Sequence, residues 1–202
     1  MTNIAAVILA AGRASRFQSC KMLAPVNDTP LISFPIKAAL SVTPHVFVVT
    51  GYWHETLSEA KERYDWPVTL LHEETWNEGI GSVIAKVTKQ LSPKYDALLF
   101  MLADQPAVSA DNVALLWKVF SEHSVDAVCC QYRDSVGVPA IAGKSMFDAL
   151  QQLSGDSGAK HLLSDERYKI TAVDIDQCNI DIDTPADLEG YVHYINNMAS
   201  LW

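Results

Sequence analysis

The sequence has little positive charge and no long apolar run. Its 202 residues contain 15 Lys and Arg against 24 Asp and Glu, a formal net charge of −9. Binding to nucleic acid or to an anionic membrane surface depends on clustered Lys and Arg, so we expect neither partner. No apolar stretch approaches the ~20 residues that cross a bilayer, and the apolar segment at Ile4 has no basic flank or cleavage site. A membrane-spanning or secreted protein is therefore not expected.

Cysteine is sparse as well. The sequence holds four, Cys20, Cys129, Cys130 and Cys178, and no two of them form a C-x-x-C pair. We interpret them as reduced thiols of a cytoplasmic protein, with Cys129 and Cys130 on opposite faces of a strand. Cys20 follows a basic loop and is either an oxidation-sensitive thiol with a lowered pKa or a plain loop thiol.

Short apolar runs alternate with longer stretches of helical period. This pattern predicts an α/β protein with a mostly parallel sheet and helices on both faces. The predicted strands are Ile4–Ala10, Val46–Thr50, Val68–Leu71, Ala97–Leu102, Ala127–Gln131 and Ile170–Val173. The predicted helices are Leu31–Leu40, Glu55–Tyr64, Ser82–Leu91, Asn112–Glu122, Met146–Leu153 and a last one capped by Thr184, Pro185 and Asp187. No repeat or linker divides the chain, so we expect one domain over residues 1–202.

The first predicted strand runs into a small-residue loop with three cations. Residues 9–21 read Leu-Ala-Ala-Gly-Arg-Ala-Ser-Arg-Phe-Gln-Ser-Cys-Lys, which places Arg13, Arg16 and Lys21 within nine positions. Small residues let backbone N–H groups approach an anion, and the cations can converge on a polyphosphate. The sequence contains neither G-x-x-x-x-G-K-[ST] nor a G-x-G-x-x-G after a strand. The loop is thus a phosphate site of another kind or a solvated basic loop.

Three aspartates are candidate metal ligands. Asp104 follows the buried strand Ala97–Leu102, and the carboxyl edge of an open α/β sheet is where ligands bind. Asp181 and Asp183 alternate with isoleucines and so share a face. Carboxylates opposite a polyphosphate loop suit Mg²⁺, although aspartates at such positions also cap turns and helices.

Six motifs occur in the order in which one enzyme family has them. The family opening, Leu-Ala-Ala-Gly-x-x-x-Arg-(Phe/Met)-Gly-x-x-Lys, is met by Leu9, Ala10, Ala11, Gly12, Arg16, Phe17 and Lys21. The later matches are Gly79-x-Gly81-Ser82, Asp104-Gln105-Pro106, Gly137-x-Pro139, Gly155-Asp156-x-Gly158-Ala159 and Asp181-Ile182-Asp183-Thr184-Pro185-x-Asp187-Leu188. Over nearly its whole length the chain resembles the nucleotidyltransferases that build dinucleotide forms of the molybdenum cofactor.

The chain departs from the family pattern at three positions. Gln18 stands where the family has glycine, so a side chain occupies a backbone position that favours φ > 0. Lys160 replaces the usual Arg and keeps the charge without the bidentate geometry. Asp28 replaces a glycine before the Thr29-Pro30-Leu31 turn, where Asp tolerates a left-handed conformation.

The resemblance implies a single-domain, Rossmann-like three-layer sandwich of the nucleotide-diphospho-sugar transferase type. It also implies Mg²⁺-dependent transfer of CMP from CTP to the terminal phosphate of molybdopterin, with release of pyrophosphate. Arg16 and Lys21 would stabilise the transferring and leaving phosphates, and Asp104 and Asp183 would hold Mg²⁺, with Asp181 in reserve. The residues that the resemblance assigns to nucleotide binding are Leu9, Ala10, Ala11, Gly12, Arg13, Gly79, Gly81 and Ser82. Acceptor binding falls to Gly137, Pro139, Gly155, Asp156 and Gly158.

CTP is preferred over GTP by analogy. Guanylyl-transferring relatives usually carry Gly-Gly where Ala11-Gly12 stands, and a methyl at Ala11 crowds a purine more than a pyrimidine. Guanylyl transfer, sugar-phosphate nucleotidyl transfer and a non-catalytic carrier of the molybdenum cofactor are the alternatives. A xanthine-oxidase-type molybdoenzyme or its chaperone is the protein partner that the resemblance suggests.

Overall fold

A computed structural model describes residues 2–17, 19–132 and 135–199. Seven strands form one sheet in the order β5-β4-β1-β6-β8-β7-β9. They are β1 Ile4–Ala10, β4 Val46–Thr50, β5 Thr69–His72, β6 Ala97–Leu102, β7 Ala127–Tyr132, β8 Ser135–Gly143 and β9 Ile170–Asp174. A separate hairpin pairs β2 Pro25–Val26 with β3 Thr29–Pro30. All strands of the large sheet run the same way except β8, which is antiparallel to both of its neighbours.

Helices cover both faces of the sheet. They are α1 Ser33–Leu40, α2 His54–Tyr64, α3 Ile80–Leu91, α4 Ala110–Glu122, α5 Phe147–Gln151 and α6 Pro185–Ala199. Alternate residues of β1 point to opposite faces: Ala6 and Ile8 pack with α1, α2 and α4, whereas Ala5 and Val7 pack with α3 and α5. The three-layer α/β sandwich expected from the sequence is therefore present.

Most predicted elements lie within a few residues of the observed ones. Cys129 and Cys130 do point to opposite faces, since they belong to the two different core clusters. The N-terminus of α6 has the expected capping box, in which the Thr184 hydroxyl accepts a hydrogen bond from the Asp187 N–H at 3.2 Å. Asp28 has a φ of +67° in the turn of the small hairpin, the left-handed conformation anticipated for it. Gln18 lies outside the described residues.

Strand β8 was not predicted. Its sequence, Ser-Val-Gly-Val-Pro-Ala-Ile-Ala-Gly, contains two glycines and a proline that weaken a strand pattern. The structure accommodates Pro139 at a bulge: Cys129 pairs with Ala140, and the next residue, Cys130, pairs with Gly137. A proline in the middle of a sheet is tolerated at such a point because no ladder hydrogen bond is required of it.

The strand directions bring six connecting segments to one edge of the sheet. Strands β1, β4, β5, β6, β7 and β9 all end there, and β8 begins there. The basic loop after β1 and Asp104 after β6 therefore meet, because β1 and β6 are adjacent. Among the residues described, no helix is long and apolar enough to cross a membrane.

Candidate active site

A buried lysine joins the basic loop to two carboxylates. The Lys21 ammonium lies 2.7 Å from Asp104 Oδ2 and 3.1 Å from Asp183 Oδ1, and only 8% of its side chain is exposed. A charge removed from water in this way needs close counter-charges. The sequence positions joined are far apart, so Lys21 fixes the end of β6 and the segment before α6 against the loop.

Arg16 approaches the same carboxylates from solvent. Its Nη1 lies 3.3 Å from Asp183 Oδ2, and 71% of its side chain is exposed. An exposed ion pair of this kind is weak, so the guanidinium is free to exchange Asp183 for another anion. The two cations predicted to be catalytic thus lie on either side of one predicted metal ligand.

Asp104 keeps one oxygen unused by the protein. Its Oδ1 is buried and has no hydrogen-bond partner in the part of the chain that the structure describes. Asp104 lines a small cavity of about 100 Å³, and the basic loop after β1 lines the same cavity through Gly12 and Lys21. A buried carboxylate oxygen without a partner, on a residue that lines a cavity, is a candidate ligand for a hard cation.

Asp183, rather than Asp181, makes the contact with Lys21. Backbone N–H groups of Asp183 and Thr184 donate to the Asp187 carboxylate, and this cap fixes the turn that carries Asp183. Hydrogen bonds from the Thr184 hydroxyl, and then from the Thr184 and Asp183 N–H groups, hold the pKa of Asp187 below its usual range. Partial burial, together with the carboxylates of Asp104 and Asp183, raises the pKa of Asp181.

The loop after β1 lines a second cavity of about 220 Å³ beside Asp104. Its walls are Leu9, Ala11, Gly12, Trp76, Ile80, Val83, Leu102 and Asp104. Gly51 allows this approach, because a Cβ there would lie 2.5 Å from the Ala11 carbonyl oxygen and 2.6 Å from the Trp76 Cβ. The two cavities around Asp104 bring together Leu9, Ala10, Ala11 and Gly12 of the predicted nucleotide site.

The two glycine turns form a backbone seam. We use this name for the contact between residues 79–82 and residues 154–157. The Gly81 N–H donates to the Gly155 carbonyl at 2.8 Å, and the Gly155 N–H donates to Ser82 Oγ at 3.1 Å. A Cβ on Gly79, whose φ is +100°, would lie 2.3 Å from the Gly155 carbonyl. Gly79, Gly81 and Ser82 therefore shape the wall that carries Ile80 and do not line the cavity themselves.

A third cavity, of about 210 Å³, lies on the β8 side. It adjoins the 220 Å³ cavity, because Ile80, Leu9 and Leu102 line both cavities. Its other lining residues are mainly apolar and include two predicted acceptor residues, Gly137 and Gly158. Pro139, Gly155 and Asp156 are not among its lining residues. Of the predicted acceptor set, the structure thus brings two members to one cavity and leaves three outside it.

Of the polar residues that line this third cavity, the sequence singled out Lys160 and missed Tyr132. Tyr132 ends β7, and its hydroxyl lies over Gly137, where a Cβ would come within 2.4 Å of it. Burial, followed by the charge of Asp181, raises the pKa of this phenol. Lys160 lines the same cavity. Tyr132 could not be selected from the sequence, because it lies outside every motif. Its contact with Gly137 becomes evident only when strand β8 is known.

Cys20 is a plain thiol. It is buried beside Lys21, and desolvation raises its pKa to about 11. The sequence left two interpretations of Cys20 open, and the one that gave its thiol a lowered pKa is therefore wrong. Cys130 and Cys178 lie close together in the core, with their sulfur atoms 2.7 Å apart.

The carboxylates fit a magnesium ion that shares its coordination with a substrate. Among the described residues, no group of three or more His, Cys, Asp and Glu side chains could hold a metal. Asp104 and Asp183 are brought together by Lys21, and Asp104 Oδ1 is unused. One or two carboxylates completed by phosphate oxygens and water is the usual environment of Mg²⁺ in nucleotide enzymes.

Known proteins match almost all of this chain. The family described as "MobA-like NTP transferase domain" matches residues 6–171. The molybdenum cofactor cytidylyltransferase of Escherichia coli (strain K12) is 26% identical over 190 residues, which cover 93% of this chain and 94% of that protein. The purine catabolism protein PucB of Bacillus subtilis (strain 168) is 28% identical over 195 residues, which cover 91% of this chain and 93% of that protein.

Solved structures share the fold. The crystal structure of Rv0371c from Mycobacterium tuberculosis H37Rv has a TM-score of 0.80 and 24% identity, covering 95% of this chain and 99% of that one. A complex of the same protein with manganese has a TM-score of 0.76 and 23% identity, with the same coverage. The family expected from the six motifs is thus confirmed, and the chain is a nucleotidyltransferase that belongs to the family of MobA-like NTP transferase domains.

Proposed function

We propose that this protein transfers CMP from CTP to the terminal phosphate of molybdopterin in the molybdenum cofactor, with Mg²⁺ as cofactor. Pyrophosphate is the second product, and the new phosphoanhydride joins the terminal phosphate of molybdopterin to CMP. The observation that carries the proposal is the unpartnered Oδ1 of Asp104, buried between the basic loop and the neighbouring cavities. The similarity to the E. coli cytidylyltransferase supplies the choice of substrates.

Charge is the main obstacle to this reaction. Both reactants are polyanions, and the protein itself has a net charge of −9. Asp104 and Asp183 would hold Mg²⁺, which would neutralise phosphate oxygens and align them for in-line transfer. A similar protein was crystallised with manganese, which supports a divalent cation on this fold.

The loop cations act beside the metal. Lys21 lies buried between the two carboxylates, so it orients them and contributes a fixed positive charge next to the phosphates. Arg16 is largely exposed and holds Asp183 by a single weak contact, so it can exchange Asp183 for a phosphate oxygen. Loss of one such stabiliser typically costs about 3 kcal/mol of transition-state stabilisation. The attacking phosphate is already ionised at neutral pH, so no general base is required.

The cavity beside Ala11 supports CTP. Ala11 is almost fully buried, and it lines the 220 Å³ cavity with Trp76 and Ile80. A methyl group in this wall reduces the width left for a purine. The 210 Å³ cavity shares Ile80 with it, so the donor and the acceptor can bind side by side, as a two-substrate transfer requires.

The test is pyrophosphate release from CTP, GTP and ATP, each with and without isolated molybdenum cofactor, in Mg²⁺. We expect release with CTP alone, dependent on the acceptor, and a product of the mass of the cytosine dinucleotide. Release with GTP instead would overturn the choice of base. Cofactor binding without any pyrophosphate release would identify a carrier and overturn the enzymatic proposal.

Ala11→Gly gives a direct test of base selection. Removal of the methyl should raise kcat/KM for GTP relative to CTP without loss of the metal site. Ala38→Gly changes a buried alanine of α1 in the same way at a distance from the cavities, and it serves as the matched control. An unchanged GTP:CTP ratio in Ala11→Gly would show that the selectivity lies elsewhere.

We further propose that the product is handed to a xanthine-oxidase-type molybdoenzyme or its chaperone. The dinucleotide cofactor is fragile, so direct transfer protects it from water. Crosslinking of the product-loaded protein to such an apoenzyme should give a specific heterodimer. Absence of that species, with product still bound, would contradict the handover.

A further inference from the structure

The three cations of the basic loop differ in how their charge is compensated. Lys21 contacts two carboxylates, and Arg16 contacts one. Arg13 has no carboxylate partner in residues 2–17, 19–132 and 135–199. Its guanidinium carbon instead lies 5.2 Å from the centre of the Tyr52 ring. Of the three loop cations, Arg13 is the one whose positive charge is not already matched by an acid.

An aromatic cluster holds Arg13 and its backbone. We call Tyr52, Trp53 and Trp76 the aromatic brace. The Trp53 indole N–H donates to the Arg13 carbonyl at 2.9 Å, and the Tyr52 N–H donates to the Ala11 carbonyl at 3.1 Å. The Tyr52 ring makes edge contacts with Trp53 at 5.0 Å and with Trp76 at 5.6 Å between ring centres. Since Trp76 lines the cavity beside Ala11, the brace connects Arg13 to the wall of the proposed nucleotide site.

A ring face holds a guanidinium without neutralising it. The attraction is to the π system, so the N–H donors around the rim of the guanidinium stay available. A carboxylate partner would occupy those donors in a bidentate pair. Arg13 is therefore oriented and still able to bind phosphate oxygens with a charge that no acid already compensates, whereas Lys21 and Arg16 share theirs with Asp104 and Asp183.

We propose that Arg13, oriented by Tyr52, binds the terminal phosphates of the nucleoside triphosphate and the pyrophosphate that is released. The proposal rests on the proposed function, in that the site must bind a triphosphate. It assigns the leaving-group end to the Arg13 side of the loop, away from the carboxylates that flank Lys21. Tyr52 acts as a positioning residue, because its ring contacts Arg13 and not the reacting atoms.

Calorimetric binding of pyrophosphate, CTP and CMP in Mg²⁺ tests the proposal. Arg13→Gln should raise the Kd for pyrophosphate and CTP by about ten- to a hundredfold and leave the Kd for CMP nearly unchanged. Tyr52→Leu should raise the same two constants by about two- to fivefold, and Tyr52→Phe should retain wild-type binding. Arg63→Gln removes an exposed arginine of α2 and controls for net charge.

The double variant separates positioning from a structural role. If Tyr52 acts through Arg13, adding Tyr52→Leu to Arg13→Gln should cause no further loss of pyrophosphate binding. Additive losses, or an equal effect on CMP, would overturn the positioning role. Tyr52 is 46% exposed, so the variants should fold, and Arg13→Lys provides a second variant that keeps charge and loses planarity.

Binding does not depend on turnover, so the two proposals fail differently. Normal binding of CTP through Arg13 without product formation would contradict only the catalytic proposal. Wild-type binding of CTP that is insensitive to both Arg13→Gln and Tyr52→Leu would contradict only the present inference. A wild-type protein that binds neither pyrophosphate nor any triphosphate would overturn both.

Discussion

At the scale of single residues, the central prediction concerns Asp104. Asp104→Asn keeps the shape and removes the charge of a carboxylate whose Oδ1 is buried and unused. We expect kcat to fall by about two to three orders of magnitude, because the metal loses a charged ligand next to the phosphates. Steady-state pyrophosphate release at saturating Mg²⁺ measures this. Asp148→Asn, on the exposed face of α5, is the charge-matched control. Near-normal kcat in Asp104→Asn would exclude Asp104 from the metal site.

Lys21 is expected to support stability as well as catalysis. Lys21→Met removes the shared counter-charge of Asp104 and Asp183 and leaves the half-buried carboxylate of Asp104 unpaired. Breaking one side of a buried ion pair costs roughly 3 kcal/mol of unfolding free energy. Urea denaturation at pH 7 measures the loss. The Lys61→Met variant removes a partly exposed lysine that pairs with the exposed Glu62, and it should cost little. Equal losses in the two variants would contradict the role given to Lys21.

Tyr132 is predicted to act on the acceptor alone. Tyr132 lines the mainly apolar 210 Å³ cavity, and its hydroxyl lies over Gly137. Tyr132→Phe removes that polar group with little change of shape, so KM for the acceptor should rise by about tenfold while KM for the nucleotide stays constant. Steady-state kinetics with each substrate varied in turn measure both constants. Tyr64→Phe, on the exposed end of α2, is the control. A rise in KM for CTP would place Tyr132 on the nucleotide side instead.

Residue types revealed the charged part of the site and concealed the aromatic part. Lys21, Arg16 and Asp104 could be selected from sequence because cations cluster after the first strand and an aspartate follows a buried strand, and the family motif added Asp183. Tyr52 and Tyr132 could not, since an aromatic residue next to a strand is ordinarily part of the core. Only the structure shows that the Tyr52 ring lies against the Arg13 guanidinium and that Tyr132 lines a cavity.

At the scale of secondary-structure elements, the backbone seam gives a paired test. Gly81→Ala at the start of α3 would put a Cβ 2.5 Å from the Ser157 carbonyl oxygen, so the turn must shift. We expect a clear loss of Tm and a higher KM for the nucleotide, because Ile80 moves with the turn. Gly190→Ala in α6 meets nothing within 4 Å, and it should stabilise the protein by about 0.5–1 kcal/mol. Thermal unfolding compares the two, and a stabilising Gly81→Ala would contradict the tight fit of the seam.

Elements with one continuous pattern could be predicted, and the interrupted one could not. β1 and β6 are unbroken apolar runs, and both were located to the residue. β8 carries Gly137 and Pro139, and its pairing tolerates them only because the bulge opposite Cys129 and Cys130 removes the demand for a hydrogen bond. A strand that depends on its partner's irregularity has no signal in its own sequence.

At the scale of the whole molecule, buried thiols predict an alkaline loss of stability. Burial raises the pKa of Cys20 and of Cys129 from 9.0 to about 11. Because these folded-state values lie above the unfolded ones, their contribution to stability is complete below pH 9 and is lost as the pH rises to 11. The slope should approach about 1.4 kcal/mol per pH unit for each thiol.

Urea denaturation from pH 8 to pH 10.5 measures this slope. The Cys129→Ala variant should be less stable at every pH, because it leaves a cavity, but its stability should fall less steeply as the pH rises. Cys20→Ala should flatten the slope in the same way. Parallel pH profiles for wild type and both variants would contradict the assignment of the alkaline loss to these thiols.

The reversed strand β8 separates the two sides of the site along the chain. The lining residues of the two cavities around Asp104 all precede residue 105, whereas most of the third cavity comes from residues 132–163. The 220 Å³ cavity and the third cavity have three lining residues in common, Leu9, Ile80 and Leu102. In evolutionary terms, exchange of one contiguous segment over residues 132–163 would replace most of the third cavity and leave both cavities around Asp104, together with Asp183, in place. A lineage with this fold could therefore change the proposed acceptor side through one contiguous segment, while the proposed phosphate and metal side is inherited unchanged.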